Sequence, residues 1–376
     1  MHLNTNQQLL KNAIILQMRI LGIESSCDET AAAVVEDGCR LLSNVVHSQI
    51  DIHAAYGGVV PEVAARSHIE MINPVIEKAL SDATLTWDDI DAIAVTYAPG
   101  LIGSLLVGTL AARTLALTKD KPLLPIHHVE AHVYANFIVE RAPHVPLTLP
   151  SRQPQFPMLA LIVSGGHSQL VLFKHHGDYT LLGQTQDDAV GEAFDKVAKI
   201  LGLPYPGGPS IAQAAEHGNP DAYQLPKAKL RGAYDFSFSG LKTAVLRAVQ
   251  REVGVETSFP SSQLAARLSP SQVQDFAASF QKTAVETLVD TTEVAFRDHS
   301  PTSVVIAGGV AANQELRRQL QNRLPLSIEY APMALCTDNA AMIATLGYFY
   351  AQARPPISPY DLHVVPSLSM THTAWR

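Results

Sequence analysis

Hydrophobic and polar positions follow two different periods along the chain, and the changes of period predict its elements. Apolar runs at 20–24, 30–36 and 41–48 predict three strands, the first two joined by the polar turn Ser25-Ser26-Cys27-Asp28-Glu29. Pro61 then opens a segment in which Val63, Ala64, Ile69, Ile72 and Val75 recur at mostly helical spacing. A buried strand is expected over 90–96, after which Pro99-Gly100 turns into an apolar helix over 101–117. That helix contains Gly103, Ser104, Gly108, Thr109 and the charged Arg113, which favours a buried helix over a membrane span.

Pro143, Pro146, Pro150, Pro154 and Pro157 follow at a density that neither a helix nor a central strand tolerates, so this stretch predicts a linker. Beyond it the opening pattern returns. Strands are expected over 158–163, 168–173 and 179–184, the first two joined by Ser164-Gly165-Gly166-His167. Val273, Phe276, Ala277, Phe280, Ala284 and Leu288 share one face of a later helix, followed by a strand over 303–306 and the turn Ala307-Gly308-Gly309. Two halves that each begin strand-turn-strand predict a duplicated α/β architecture with a cleft between lobes. The expected division is an extension at 1–17, with Met18 the expected initiator, a first lobe at 18–142, a linker at 143–157, a second lobe at 158–337, a C-terminal helix at 338–352 and an extended tail at 353–376.

Composition narrows the classes without naming a chemistry. The chain has 376 residues, room for about two or three domains at roughly 100 to 200 residues each. Its 47% hydrophobic and 16% charged residues argue against disorder. Lys and Arg number 27 against 35 Asp and Glu, a net charge of −8, so contact with a nucleic acid needs a local patch or a partner. Cys27, Cys39 and Cys336 are too few for a disulfide framework and suit a reducing compartment. The apolar run at 13–16 is too short for a signal peptide, so a cytoplasmic protein without a membrane anchor is expected.

Several groups of residues carry candidate chemistry. Ser164-Gly165-Gly166 could present backbone N–H groups to a phosphate or serve only as a hairpin turn; the turns at 25–29 and 308–309 beside it favour a nucleotide cleft. In His127-His128-Val129-Glu130-Ala131-His132, His128 and His132 stand at i and i+4, one face of a helix, where they could share a metal ion or be two ordinary histidines. The zinc-peptidase motif H-E-x-x-H places Glu immediately after the first His, and here Val129 stands there. Asp338 is a candidate third ligand, the alternative being a helix N-cap. Asp188, Glu192 and Asp195 would share a helical face, as ligand contacts or as a solvated acidic surface. Lys227, Lys229, Arg231, Lys242, Arg247 and Arg251, interleaved with Tyr234, Phe236 and Phe238, form the best local candidate for phosphate-backbone contact, a solvated surface being the alternative.

An ordered set of motifs goes further: Gly22-Ile-Glu-Ser-Ser-Cys-Asp-Glu-Thr30, His128-Val-Glu-Ala-His132, Val163-Ser-Gly-Gly-His167, Gly191-Glu-Ala-Phe-Asp195, Tyr205-Pro-Gly-Gly208, Phe236-Ser-Phe-Ser-Gly-Leu-Lys242, Gly308-Gly-Val-Ala-Ala-Asn313 and Cys336-Thr-Asp-Asn339. Over 18–350 the chain resembles the TsaD family of tRNA threonylcarbamoyladenosine transferases, in its bacterial form. The resemblance implies an actin-like fold, shared with sugar kinases and heat-shock ATPases, with two lobes around a nucleotide cleft. It implies transfer of a threonylcarbamoyl group from threonylcarbamoyl-adenylate to the N6 amine of the adenosine 3′ of the anticodon, in tRNAs reading codons that begin with A, with release of AMP. By similarity His128, His132 and Asp338 would bind one divalent metal, Fe(2+) first and zinc second. Ile162, Val163, Ser164, Gly165, Gly166, Asp195, Gly208 and Asn313 would contact the adenylate. The implied partners are tRNA, TsaB, TsaE and an adenylate-producing synthase. Many relatives carry Asp where this chain has Ala212, which removes one expected ribose contact.

Asp28 and Glu29 are candidates for the catalytic base, a cleft-lining role being the alternative. Two other functions compete with the transferase: a zinc endopeptidase, suggested by the paired histidines, and a non-catalytic assembly subunit, suggested by the small-residue helix at 101–117.

Overall fold

The computed structural model describes residues 17–372; apart from Gln17, the expected extension at 1–17 lies outside them, as do residues 373–376 of the tail. Continuous apolar runs make the central strands. In β1 (Arg19–Glu24) and β2 (Glu29–Glu36) nearly every residue is buried, which requires cover on both faces of the sheet. β3 (Arg40–Ser48) is antiparallel to β2, as β2 is to β1. The short helix α1 (Ile50–Ala54) and the long α2 (Pro61–Ala83), with Pro at its first position, lead to β4 (Ala92–Ala98), parallel to β1. α3 (Ile102–Lys119), β5 (Leu123–His127) and α4 (His128–Tyr134) follow, and β6 (Glu140–Arg141) closes a sheet of order β5-β4-β1-β2-β3-β6.

Residues 142–157 form no helix or strand. The second sheet repeats the scheme of the first. β7 (Met158–Val163), β8 (Ser168–His175) and β9 (Asp178–Gln184) are antiparallel neighbours, and β10 (Ser303–Ala307) joins the far side of β7 in parallel. Its order, β10-β7-β8-β9, corresponds to β4-β1-β2-β3 of the first sheet. This is the duplicated α/β architecture of the actin-like fold. Between β9 and β10 run α5 (Val190–Leu201), α6 (Gly207–Ala215), α7 (Ser239–Glu252) and α8 (Pro270–His299). Phe276, Phe280, Ala284 and Leu288 of α8 are buried as their spacing predicts, and Ser269 with Gln272 forms its capping box. α9 (Gln314–Arg323), α10 (Met333–Cys336) and α11 (Ala340–Ala353) complete the chain before an extended C-terminal segment.

The period of two on β1 explains how both its faces are covered. A side chain at Gly22 would collide with Ala340 and Ala344 of α11, while the next residue, Ile23, reaches Gly108 of α3 on the opposite face. α4 packs on β4, β5, β7 and β10, placing its two histidines where the sheets meet.

Three expectations change. The strand expected over 90–96 lies at Ala92–Ala98, because Asp89 and Thr86 form a capping box around a 3-10 turn that ends just before it. Ile69 is 64% exposed, outside the buried stripe of α2. The helix expected to be buried carries an outward row, Ile102, Leu106, Leu110 and Leu117, while Ser104, Leu105, Gly108 and Ala112 face in: small residues and the single Leu105, not the leucines of the outward row, make the close contact. No described helix is long and apolar enough to cross a membrane.

Candidate functional site

His128 begins α4 immediately after β5, and every residue of this helix of 7 residues is buried. The i, i+4 spacing sets His128 and His132 edge to face, 4.6 Å between ring centroids. From the other side of the junction, Asp338 Oδ1 approaches His128 Nε2 at 3.6 Å and His132 Nε2 at 3.2 Å. The capping alternative for Asp338 does not hold: Asn339 caps α11, its Oδ1 accepting from the Met342 N–H at 3.1 Å. One potential ligand atom from each of His128, His132 and Asp338 lies within 4.8 Å of the others.

The donor set fits a divalent metal ion. Neither ring nitrogen of buried His132 has a hydrogen-bond partner among the described residues, despite the nearby carboxylate, and a buried unsatisfied imidazole is costly unless a ligand completes it. The His128 tautomer is set from behind. Its Nδ1 lies 2.9 Å from Glu24 Oε2 and 3.2 Å from Ser26 Oγ, leaving Nε2 to face Asp338. Glu24 is fully buried and accepts further bonds from Thr96 Oγ1 at 2.6 Å and the Ser26 N–H at 2.5 Å. Burial opposes charge on these groups, but their mutual attraction wins: Asp338 and Glu24 push His128 up to about 9, and the carboxyls of Glu24 and Asp338 are held below their ordinary values. Glu24 received no role from the sequence; the signal was a lone acid ending an otherwise apolar strand.

His128 and Asp338 line a cleft of about 1700 Å³, with His132 buried beside them. Ser164, Gly165, Gly166 and His167 also line it, and a Cβ built on either glycine would meet nothing within 4 Å, so the two glycines border open space. Gly191 lets α5 press onto this hairpin, since a side chain there would run into the Ser164 carbonyl and Gly165. Asp195 accepts from the Gly207 N–H at 2.7 Å, and burial raises its carboxyl. Gly208, Ala212 and Asn313 also line the cleft; Asn313 caps α9 and donates to Gln281 Oε1 at 2.9 Å. Ile162 and Val163 are completely buried in β7 and support the hairpin from below.

Asp28 and Glu29 border the cleft beside the metal triad. Burial, with Asp338 and Asp28 nearby, pushes the Glu29 carboxyl up to about 10. The C-terminal segment, expected only to be an extended tail, forms a wall. Val365 N–H donates to the Tyr97 carbonyl and Gly100 N–H to the Pro366 carbonyl, while His127 Nε2 lies 3.1 Å from the Leu368 carbonyl and Tyr179 Oη donates to that of Met370 at 2.8 Å. The segment thereby ties β4 and β5 to β9. Its prolines hid this, because such a strap is held by backbone groups that sequence patterning does not mark.

These geometries set the terms for comparison with known proteins. The family model described as TsaD, tRNA N6-adenosine threonylcarbamoyltransferase, matches residues 40–345. The chain belongs to the TsaD family. Its tRNA N6-adenosine threonylcarbamoyltransferase relative from Thermomicrobium roseum is 52% identical over 347 residues, covering 89% of this chain and 92% of that protein. The Bacillus subtilis relative of the same description is 46% identical over 359 residues, 94% and 96% of the two chains. HypF, solved in a phosphate- and nucleotide-bound form, shares the fold alone, with a TM-score of 0.50 and 12% identity over 89% of this chain and 55% of that one. The TsaD-family protein is thus a transferase of tRNA modification.

In two groups expected near a ligand, some members are engaged elsewhere in this TsaD-family chain, while Glu192 and Asp195 do line the cleft. Asp188 precedes α5, whose N-cap is Ala189, so it shares no helical face with Glu192 and Asp195; Lys196 bridges Asp188 and Glu192 instead. In the basic run Phe236 and Phe238 are buried core, Lys227 pairs with Glu286 and Asp290, and Arg247 bonds Gln250 Oε1 and the Thr257 carbonyl. Sequence spacing cannot distinguish a cation facing solvent from one held by a distant helix.

Proposed function

We propose that the cleft transfers a threonylcarbamoyl group from threonylcarbamoyl-adenylate to the N6 amine of the adenosine 3′ of the anticodon, in tRNAs reading codons that begin with A. The convergence of His128, His132 and Asp338 on the cleft that the glycine hairpin also borders carries this reading. The adenylate phosphate would meet the backbone N–H groups of Gly165 and Gly166, the Ser164 N–H being donated to the His167 carbonyl at 2.8 Å, and its nucleoside the walls at Asp195, Gly208 and Asn313. Ile162 and Val163 would act through the backbone they position.

In the transfer, the N6 nitrogen bonds to the carbamoyl carbon, the bond from that carbon to the phosphate oxygen breaks, and AMP leaves. The donor is already activated, so holding it against the amine supplies much of the acceleration. A protonated Glu29 would donate to the donor or to Asp28, which leaves Asp28 to accept the amine proton. Two imidazoles and one carboxylate with open positions suit ferrous iron, with zinc second. When bound, such an ion would supply Lewis-acid polarisation of donor oxygens.

We assign the reaction to the cytoplasm, with TsaB and TsaE as partner proteins; the outward leucines of α3 offer a helical partner an apolar face. The peptidase alternative lacks its general base, Val129 standing where H-E-x-x-H needs Glu. The test is transfer of labelled threonine to unmodified tRNA in a reconstituted mixture containing wild-type protein, the His128→Ala variant or no protein. Label with the wild type alone is expected; equal label in all three would remove the chain from the chemical step and favour the assembly alternative.

A further inference from the structure

The edge of the cleft next to Asp28 and Glu29 is a flap that the reading above does not use. It springs from the candidate acid pair: the Gln49 N–H donates to the Asp28 carbonyl at 3.1 Å, and Ser48 Oγ donates to Glu29 Oε1 at 3.2 Å. His53, fully buried, anchors it. The His53 Nε2 lies 3.1 Å from Gln49 Oε1, and its Nδ1 accepts from the Val60 N–H at 3.3 Å. Above this anchor Ile50, Gly57, Gly58 and Val59 line the cleft. Gly57 has φ +71°, and a Cβ on either glycine would meet nothing within 4 Å, so the tip is unpacked.

Tyr56 stands on this tip and is 62% exposed. Among the described residues only Tyr56 and Tyr360 expose a phenylalanine, tyrosine or tryptophan ring to this degree, and Tyr56 is the one adjoining residues of the cleft. The cleft, at about 1700 Å³, exceeds the roughly 300–1000 Å³ of a typical small-molecule site. An adenylate therefore leaves space for a second substrate. That substrate must present an exocyclic amine of a base lifted from its stack, and RNA loops so opened are held by aromatic side chains.

We propose that Tyr56 stacks on a base of the tRNA loop at the cleft mouth and positions the acceptor adenosine over Asp28 and Glu29. The proposal rests on the transfer reading and adds a substrate-positioning residue to it. Stacking between a base and an aromatic ring contributes about 1–3 kcal/mol, which corresponds to roughly 5- to 150-fold in affinity.

The test uses the full reconstituted mixture at saturating partner proteins, with wild type, Tyr56→Ala, Tyr56→Phe and His128→Ala. Tyr56→Ala is expected to raise the KM for tRNA by roughly 5- to 150-fold, with the KM for threonylcarbamoyl-adenylate, the metal content and the melting temperature unmoved. Tyr56→Phe, which keeps the ring, is expected to restore most of the loss. An unchanged KM for tRNA in Tyr56→Ala would overturn the proposal, as would a loss traced to weaker binding of a partner protein. His128→Ala separates the two failures: if it abolishes transfer while Tyr56→Ala changes nothing, only this inference falls, whereas transfer surviving in His128→Ala removes the reading beneath it.

Discussion

Between β1 and β2 the chain turns through Ser25-Ser26-Cys27-Asp28, and between β7 and β8 through Ser164-Gly165-Gly166-His167. The two turns hold the same place in the strand order of their sheets, and both border the cleft. The first is crowded with side chains: Glu24 at its base orients His128, and Asp28 and Glu29 stand beside the triad. The second is bare at its middle, where Gly165 and Gly166, between Ser164 and His167, leave backbone toward open space. The difference separates two kinds of chemistry. Metal and proton handling need tuned side chains, whereas a phosphate needs close N–H donors, and on the proposed reading each turn would serve one of these.

The largest break in this comparison should come from Asp338→Ala, expected to strip the metal and lower transfer by more than about 100-fold without changing the affinity for AMP at the glycine hairpin, measured by metal analysis and calorimetry. Glu24→Gln keeps every ligand but removes the charge beside His128 and one of the two acceptor oxygens that serve Ser26, Thr96 and His128; metal affinity should fall by roughly 10- to 100-fold in equilibrium dialysis. Gly165→Ala tests the other turn. Its methyl enters open space, so the melting temperature should hold, while the KM for the donor should rise by roughly 10-fold or more as the phosphate loses close approach.

Smaller effects should sharpen the picture away from the turns. Asp187 accepts from the Phe238 and Ser239 N–H groups and from both serine hydroxyls, Ser237 and Ser239, and so caps α7 from a distance of some fifty residues in sequence. Asp187→Ala should cost about 0.5–2 kcal/mol in urea melts. The smallest is a pH effect at the junction of the halves, where His176 of the second half stacks on Phe349 of α11, 3.9 Å between centroids. Burial and neighbouring His175 lower His176 to about 4. Below about 6.5 the unfolded chain takes up a proton that the folded one refuses, so stability should fall as pH drops from about 6.5 toward 4. His176→Phe should flatten that slope in thermal melts.

The fold was legible where a single period governs an element. The apolar runs of β1, β2 and β7, the stripe of α8 and the repeated strand-turn-strand openings all carry their pattern in consecutive residues. The clustering of His128, His132 and Asp338 was legible too, because two of them share one helical face and the third sits in a short polar motif. Glu24 was not, since its role depends on a histidine 104 residues away. Neither was the C-terminal strap, held by carbonyls of Pro366, Leu368 and Met370 rather than by any distinctive side chain. The outward leucines of α3 misled for a related reason: close approach places Gly108 against β1 and Gly103 against α2, and leaves Leu106, Leu110 and Leu117 outside.

The most direct test of the account is a single-turnover transfer from preformed threonylcarbamoyl-adenylate to unmodified tRNA, with the protein stripped by a chelator and then reloaded with one equivalent of ferrous iron or zinc. The account predicts that stripping abolishes transfer and that reloading restores it in the wild type but not in His128→Ala. A stripped protein that transfers at the full rate would contradict it.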